Sequence, residues 1–480
     1  MKRVLSLLLI VMMLLALCAC GEKAAEPVKK AVLQAGFGRV NITPAYSVPL
    51  AGYGNTQNRM STGFKDYLYA TCIALKDVNG EQVLLITIDL VTISDALCKH
   101  LRSAVTTATG IPEDRIMISA THTHSGPDIG SNLPIIDTFW ADLTRNLSSA
   151  CQQALEDLSP VTLQTGSVDV EGMSFVRHYR MNDGTYAGDN FGSWSSGIAG
   201  HEREPDKQMQ LVRFCRDDKK DILMVNWQVH SKVSSGGGTH EAKLSHNLLS
   251  ADYIGTMREY MEKQDSDLQI AYFLGAAGNL NPQSQIDAEM DNVPIMVVEY
   301  GQALSQFVLQ GLENMTEVKT GPVVVKQTIF EAQRDHTEDH LRYHAQEVYD
   351  LWKKTGSNSA AFEAGKPYGI ASPYHAAAIL ARAQNTSAYK EMELNAVVFG
   401  DVAFVAAPYE MFCQNGQAIK EGSPYSTTIV ATCSNGHNNY IAADAAFEFG
   451  SYEVHNRYFV RGTAEALAEE FVHMLTEIKG

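Results

Sequence analysis

Apolar runs broken by turn residues divide the chain into three hairpins with helices between them. The first hairpin is predicted over residues 68–75, turns at Asn79-Gly80 and returns over 83–90. Asn-Gly suits the positive φ angles of a tight hairpin turn. The second covers 209–215, turns through 217–220 and returns over 222–229; the third covers 394–399, turns at Gly400-Asp401 and returns over 402–406. A separate apolar run, 115–119, reads as one more buried strand. Between these runs the period changes to that of a helix. Leu97, Leu101, Ala104, Val105 and Ala108 share one face, with Ser94 placed to cap the helix and Gly110 and Pro112 beyond its end. Trp140, Leu143, Leu147 and Cys151 mark a second helix, and Ile254, Met257, Tyr260 and Met261 a third. Residues 295–312 give a fourth, and Leu467, Phe471, Met474 and Leu475 a last. Residues 331–390 lack strong strand signals and are predicted to form a helical insert. Strands alternating with helices imply an α/β protein. The hairpins share a style, but no repeat is legible in the sequence.

Polar residues close the apolar runs. The return strands deliver Asp89, His230 and Glu410, and the run 115–119 leads into Thr121-His122-Thr123-His124-Ser125-Gly126-Pro127. If the extended backbone continues, His122 and His124 point to the same face, because strand side chains alternate. Such a pair suits one metal ligand and one acid/base group; two histidines hydrogen-bonded in a loop are the alternative. His122, His230 and Glu410 are the nitrogen and oxygen donors that zinc takes at hydrolytic sites. Neither their spacing nor their order identifies such a site.

Composition adds exclusions. The chain has 480 residues, 45% of them hydrophobic, and carries 38 Lys and Arg against 55 Asp and Glu, a formal charge of −17. That balance argues against a nucleic-acid binder. Lys2-Arg3, an apolar run from Val4 to Leu17 and then small residues have the layout of a secretory signal. Leu17-Cys18-Ala19-Cys20-Gly21 resembles the lipobox of bacterial lipoproteins, which implies a signal peptide over 1–19, a lipidated Cys20 as membrane anchor, and a tether over 20–33. The expected location is the cell membrane, facing outside the cytoplasm. No Gly/Ser/Pro linker follows residue 33, so 34–480 is expected to be one catalytic domain. Six further cysteines lie mostly in apolar runs and are expected to be free core thiols, although export permits disulfides.

The Thr121–Pro127 stretch resembles a signature of the neutral/alkaline ceramidase family, zinc amidases acting on N-acylsphingosines. Further matches follow in order: Gly38-Arg39-Val40-Asn41-Ile42-Thr43-Pro44, Asn226-Trp227-Gln228-Val229-His230, Leu249-Ser250-Ala251-Asp252-Tyr253 and Gly275-Ala276-Ala277-Gly278-Asn279-Leu280-Asn281-Pro282. Pro408-Tyr409-Glu410, Asn439-Tyr440-Ile441 and Gly450-Ser451-Tyr452-Glu453 complete the set. The resemblance implies mixed β-sheets layered with helices and one Zn2+ held by His122, His230, Glu410 and Tyr440. It implies that His124 and Tyr452 work on the substrate amide, helped by Arg177, and that a metal-activated water hydrolyses ceramide or a related N-acyl lipid. Asp89, Asp252, Asn279 and Asn281 lie in the matching motifs and either orient ligands or cap helices and turns.

Departures from the family pattern widen the substrate reading. Ceramidases carry a C-terminal immunoglobulin-like domain, which is not expected before the end at Gly480, and Ser231-Lys232 follows His230 where the sphingolipid enzymes have other residues. The same amidase chemistry on a non-sphingolipid N-acyl compound, such as an acylated amino sugar or envelope component, is one alternative. A non-catalytic, ligand-binding lipoprotein is another. Two motifs read as decoys. His336, His340 and His344 recur every four residues, but Glu338 breaks the zincin pattern, so a solvated helix face is expected. The serine-rich stretch 192–197 is not Gly-x-Ser-x-Gly and reads as a rim of the pocket.

Overall fold

The computed structural model describes residues 33–53, 59–188, 197–234, 246–283, 296–448 and 450–480. The expected signal peptide, Cys20, the tether as far as Val32, and the serine-rich rim up to Ser196 lie outside the described residues. Residues Leu33–Gly480 form one compact unit.

Three sheets repeat one topology. The first contains β1 (Gln34–Asn41), β2 (Tyr69–Lys76) and β3 (Gln82–Ile88), then helix α1 (Asp95–Thr109) and β4 (Ile116–Ala120). Helix α2 (Ile135–Glu156) leads to the second, which has β5 (Thr162–Asp169), β6 (Gln208–Cys215), β7 (Asp221–Trp227), helix α3 (Asp252–Gln264) and β8 (Leu268–Leu274). Helix α4 (Val297–Glu313) leads to the third. There β9 (Val323–Gln333) is followed by α5 (Arg342–Thr355), α6 (Asn358–Gly365) and α7 (Pro373–Gln384), then β10 (Tyr389–Phe399), β11 (Val402–Ala406), α8 (Cys413–Gly422) and β12 (Thr427–Ala431). The short α9 (Tyr452–His455) and α10 (Thr463–Lys479) end the chain.

These four strands lie in the same order in each sheet, 4-3-2-1, 8-7-6-5 and 12-11-10-9, and a short fifth strand, Ser159–Pro160 or Thr316–Val318, edges the first two. The first three strands of each run antiparallel, and the fourth returns through a helix to lie parallel to the third, as in Ile86↔Ile118, Val225↔Tyr272 and Phe404↔Ile429. A parallel neighbour needs a crossover, and α1, α3 and α8 supply it. The predicted hairpins are therefore present, and each belongs to a larger unit that the sequence does not display.

One face of every sheet enters a common core. Ile73 and Leu85 from the first sheet, Phe214 and Phe273 from the second, and Phe399 and Phe404 from the third belong to one buried cluster. Phe273 and Phe404 meet edge to face at 5.2 Å, and Phe214 stacks on Phe399 at 5.9 Å. The opposite faces are covered by helices, with Leu97, Leu143, Met257 and Leu304 over the first two sheets and Leu467 and Phe471 over the third. Burial on both faces explains why these strands read as apolar runs instead of clean alternation. Each fully buried large side chain contributes about 1.5–3 kcal/mol.

The predicted insert is helical, with strand at both margins, since β9 runs on to Gln333 and β10 begins at Tyr389. Its helices enclose a small core of their own around Val348, Trp352, Ala361 and Ile379. His336, His340 and His344 do not form one stripe: His340 lies in a 3-10 turn and only His344 sits in α5. His336 pairs with Asp339 at 2.8 Å, and His344 stacks on Tyr368 at 3.6 Å. Cys72, Cys98, Cys151, Cys215, Cys413 and Cys433 are free thiols. Among the described residues no helix is long and apolar enough to cross a membrane.

Candidate metal centre at the strand ends

The carboxyl ends of the strands converge, and the three sheets are tied together there. Asn226 donates to Phe273 O at 2.9 Å and to Val430 O at 3.0 Å, Thr87 to Tyr272 O at 2.7 Å, and Ser119 Oγ meets Ser434 Oγ at 2.5 Å. These bonds fix the loops that follow, and the loops carry the site.

His122 reaches the centre from a bend, not from a strand. β4 ends at Ala120, and His122 has φ +63°, in the left-handed region. The expected strand geometry of the His-x-His pair is thus corrected: the chain has already left the sheet, and the turn brings both rings to one point. Their Nε2 atoms are 3.4 Å apart. His122 Nδ1 donates to Val91 O at 2.7 Å, and His230 Nδ1 to Ala277 O at 2.8 Å. A carbonyl only accepts, so each ring carries a proton on Nδ1 and points Nε2 at the centre.

What faces the two Nε2 atoms is an acceptor. Glu410 Oε2 lies 3.3 Å from His122 Nε2 and 3.5 Å from His230 Nε2, buried and with no hydrogen bond. The Tyr440 hydroxyl is 3.1 Å from His230 Nε2. Glu410 and Tyr440 belong to a two-residue parallel pairing, Glu410↔Tyr440 and Met411↔Ile441, which holds them side by side. The Tyr440 O–H donates to His230 Nε2, whereas the buried Glu410 carboxylate is costly without a positive charge beside it. The electrostatics agree. Burial opposes a charged His122, yet Glu410 draws its pKa well above the usual value, and His122 in turn holds Glu410 well below the carboxylate range despite burial. The donor set fits a divalent cation, and zinc in particular takes such histidine and carboxylate ligands.

His124 lies within the same space, and His122, His124 and His230 form a buried group able to hold a metal ion. Burial, then His122, His230 and Lys232, push the His124 pKa well below its usual value; burial and Arg177 take His230 down to about 3. Both rings are therefore neutral at physiological pH. Gly52 supports His124 from beneath: with φ +103°, a Cβ there would lie 2.6 Å from the His124 ring. Arg59, buried, donates to His124 O at 2.7 Å and Ala51 O at 2.6 Å, and Tyr53 meets the His124 ring edge-on at 5.3 Å.

Arg177 sits behind Tyr440, its guanidinium carbon 5.6 Å from the ring centroid. It donates to Glu453 at 2.6 Å, Gly278 O at 2.8 Å and Asn281 at 3.4 Å. Burial and Glu410 raise the Tyr440 phenol well above its usual pKa, and Arg177 opposes them. Tyr452 meets Tyr440 edge to face at 5.6 Å, and burial raises its phenol too. All seven residues expected at the site are thus gathered around one region. Of the supporting residues, Asp252 accepts the Val233 and Ser234 N–H groups at 3.1 and 2.7 Å and so holds the loop after His230. Asn279 accepts the Cys413 N–H at 2.9 Å, and Asp89 pairs with Arg258 at 2.8 Å. Sequence reasoning missed Arg59, Gly52 and Glu453. Only Glu453 left a signal, a carboxylate beside Tyr452 in a matching motif.

The fold is thus a layered α/β scaffold that holds a buried candidate cation site at its strand ends. The neutral/alkaline non-lysosomal ceramidase N-terminal family model matches residues 33–281, and the chain belongs to that family. The crystal structure of neutral ceramidase from Pseudomonas aeruginosa superposes with a TM-score of 0.68 at 17% identity, covering 94% of this chain and 75% of that one. A ceramidase complexed with C2 gives 0.68 at 17% identity, with 94% and 76% covered. No curated protein matches the sequence. Family and fold together make the chain a ceramidase-like hydrolase.

Proposed function

We propose that the chain is a zinc amidohydrolase that cleaves the N-acyl amide of ceramide or a related lipid. The observation carrying this reading is the convergence of His122 Nε2, His230 Nε2, the unbonded Glu410 Oε2 and the Tyr440 hydroxyl within one buried space. These four residues would hold the ion. Zinc bound there supplies a Lewis acid for the amide carbonyl and lowers the pKa of water to roughly 7.

The chain's own groups do the rest. His124, kept neutral above all by burial, takes a proton from the attacking water and returns it to the leaving amine. Tyr452, kept protonated by burial, donates a hydrogen bond to the developing oxyanion. Arg177 acts on the amide through Tyr440, whose phenol it favours in the ionised form. A lipidated Cys20 tethers the enzyme to the outer side of the cell membrane, where an N-acyl lipid is at hand.

A second reading keeps the chemistry and changes the substrate. Ser231-Lys232 follows His230 where the sphingolipid enzymes carry other residues. The substrate in this reading is a non-sphingolipid N-acyl compound such as an acylated amino sugar or envelope component. The test is zinc analysis of the full chain together with release of free fatty acid from a panel of N-acyl substrates. One zinc per chain and ceramide turnover that disappears in His122→Ala support the first reading. Turnover of a non-sphingolipid N-acyl amide alone selects the second, zinc without turnover leaves a ligand-binding lipoprotein, and failure to bind zinc overturns both enzyme readings.

A further inference from the structure

The helical insert is fastened to the segment that carries Tyr452 by main-chain bonds at its margin, Asp335 N–H to Tyr458 O at 3.0 Å and Val460 N–H to Gln333 O at 3.1 Å, and beyond them by a group of side chains. Glu338 accepts from Arg382 Nη2, from His375 Nε2 at 3.3 Å, and faces Arg457 Nη2 at 3.6 Å. The Ala371 N–H donates to His375 Nδ1 at 3.2 Å, which leaves the ring proton on Nε2 to point at Glu338. Arg457 also bonds Asp335 at 2.5 Å, and Arg382 Nη1 donates to Arg457 O at 2.6 Å. The His375 ring stacks on His455 at 4.6 Å, with 18° between the planes.

One residue earlier, Tyr374 meets Tyr452 edge to face at 6.2 Å and 86°. On its other side Tyr374 packs against Trp352, in the core of the insert, at 5.7 Å. A chain of rings therefore runs from that core through Tyr374 and Tyr452 to Tyr440. Tyr452 itself opens α9, which is only four residues long. So short a helix does not fix a side chain by itself, and its direction is set by what packs against it.

We propose that Tyr374 and the Glu338–His375–Arg457 latch are positioning residues for Tyr452, so that the helical insert aligns the hydrogen-bond donor of the reaction. This rests on the reading of Tyr452 as a group that acts on the substrate amide. The arrangement predicts a loss in kcat rather than in metal binding, because none of the latch residues is among the four proposed ligands.

The experiment is steady-state kinetics, zinc content and thermal midpoint of the zinc-loaded full chain for Tyr374→Ala, Tyr374→Phe and Glu338→Gln, alone and combined with Tyr452→Phe. Tyr374→Ala is expected to lower kcat about ten- to a hundredfold at unchanged zinc content, the scale of a misplaced catalytic group. Tyr374→Phe, which keeps the ring, restores kcat close to wild type. In the Tyr452→Phe background Tyr374→Ala adds little, since the two act as a unit. An unchanged kcat in Tyr374→Ala, or an equal further loss in the double variant, overturns the proposal while leaving the Tyr452 reading intact. Full kcat in Tyr452→Phe alone overturns that reading, and the proposal with it. If Tyr374→Ala does not fold, Glu338→Gln runs the same cycle and decides in the same way.

Discussion

At the strand ends, the polar groups are pinned by main chain: His122 by Val91 O, His230 by Ala277 O, Asn279 by the Cys413 N–H, Asp252 by two loop amides. The helical insert has main-chain bonds only at its margin, at Gln333 and Asp335, and beyond them the holding contacts run between side chains, from Glu338 to His375, Arg382 and Arg457. The first kind of site moves only if the sheets move. The second can loosen one ion pair at a time, and the common core of three sheets need not respond. A fixed centre joined to a separately held wall lets the chemistry stay constant while the wall shapes access and alignment.

The largest effect that tests this contrast is loss of a proposed ligand. His230→Ala should reduce bound zinc and fatty-acid release to background without unfolding the chain, as read by metal analysis and circular dichroism. Next comes the shared core. Phe404→Ala should cost about 3–5 kcal/mol of global stability in denaturant melts. Trp352→Ala, by contrast, should raise hydrogen exchange in the insert and spare the central strands; equal exposure of both would erase the distinction between the regions.

A smaller effect is expected beneath His124. Gly52→Ala places a methyl group 2.6 Å from the ring at φ +103°, costing about 1–3 kcal/mol of backbone strain and slowing turnover with zinc retained. Smallest is the acid response of the latch. His375, Arg457 and Arg382 hold Glu338 down to about 2 against burial, from an ordinary 4.5. A depressed carboxylate pKa stabilises the fold above its unfolded value, and that contribution fades as pH falls through the folded one. Hydrogen exchange of the insert, taken relative to the intrinsic amide rate at each pH, should therefore rise as pH falls from about 4.5 to 2. Glu338→Gln should remove most of that rise, the remainder belonging to Asp335, which is also held low by Thr337 and Arg457. A flat wild-type profile would count against the latch.

His230 and Glu410 were legible because an apolar run that ends in a ligand-type residue leaves a visible mark. Tyr440 was legible only through the family resemblance, since its strand is two residues long and leaves no apolar run to mark it. The bend at His122 left no trace: its cause is a carbonyl at Val91 and a turn imposed by tertiary contacts. The threefold topology was hidden for a related reason, as burial on both faces fixes strand order and polarity but accepts many apolar residues. Arg59 and Gly52 act through main-chain contacts with His124, which a sequence does not display.

The central claim is the division of labour between His122 and His124, whose Nε2 atoms lie only 3.4 Å apart. Zinc stoichiometry of the purified full chain and of the two alanine variants tests it most directly. One zinc is expected in the wild type and in His124→Ala, with turnover in His124→Ala about 10²–10⁴-fold lower, and none in His122→Ala. Equal zinc loss in both variants, or zinc retained in His122→Ala, would contradict it.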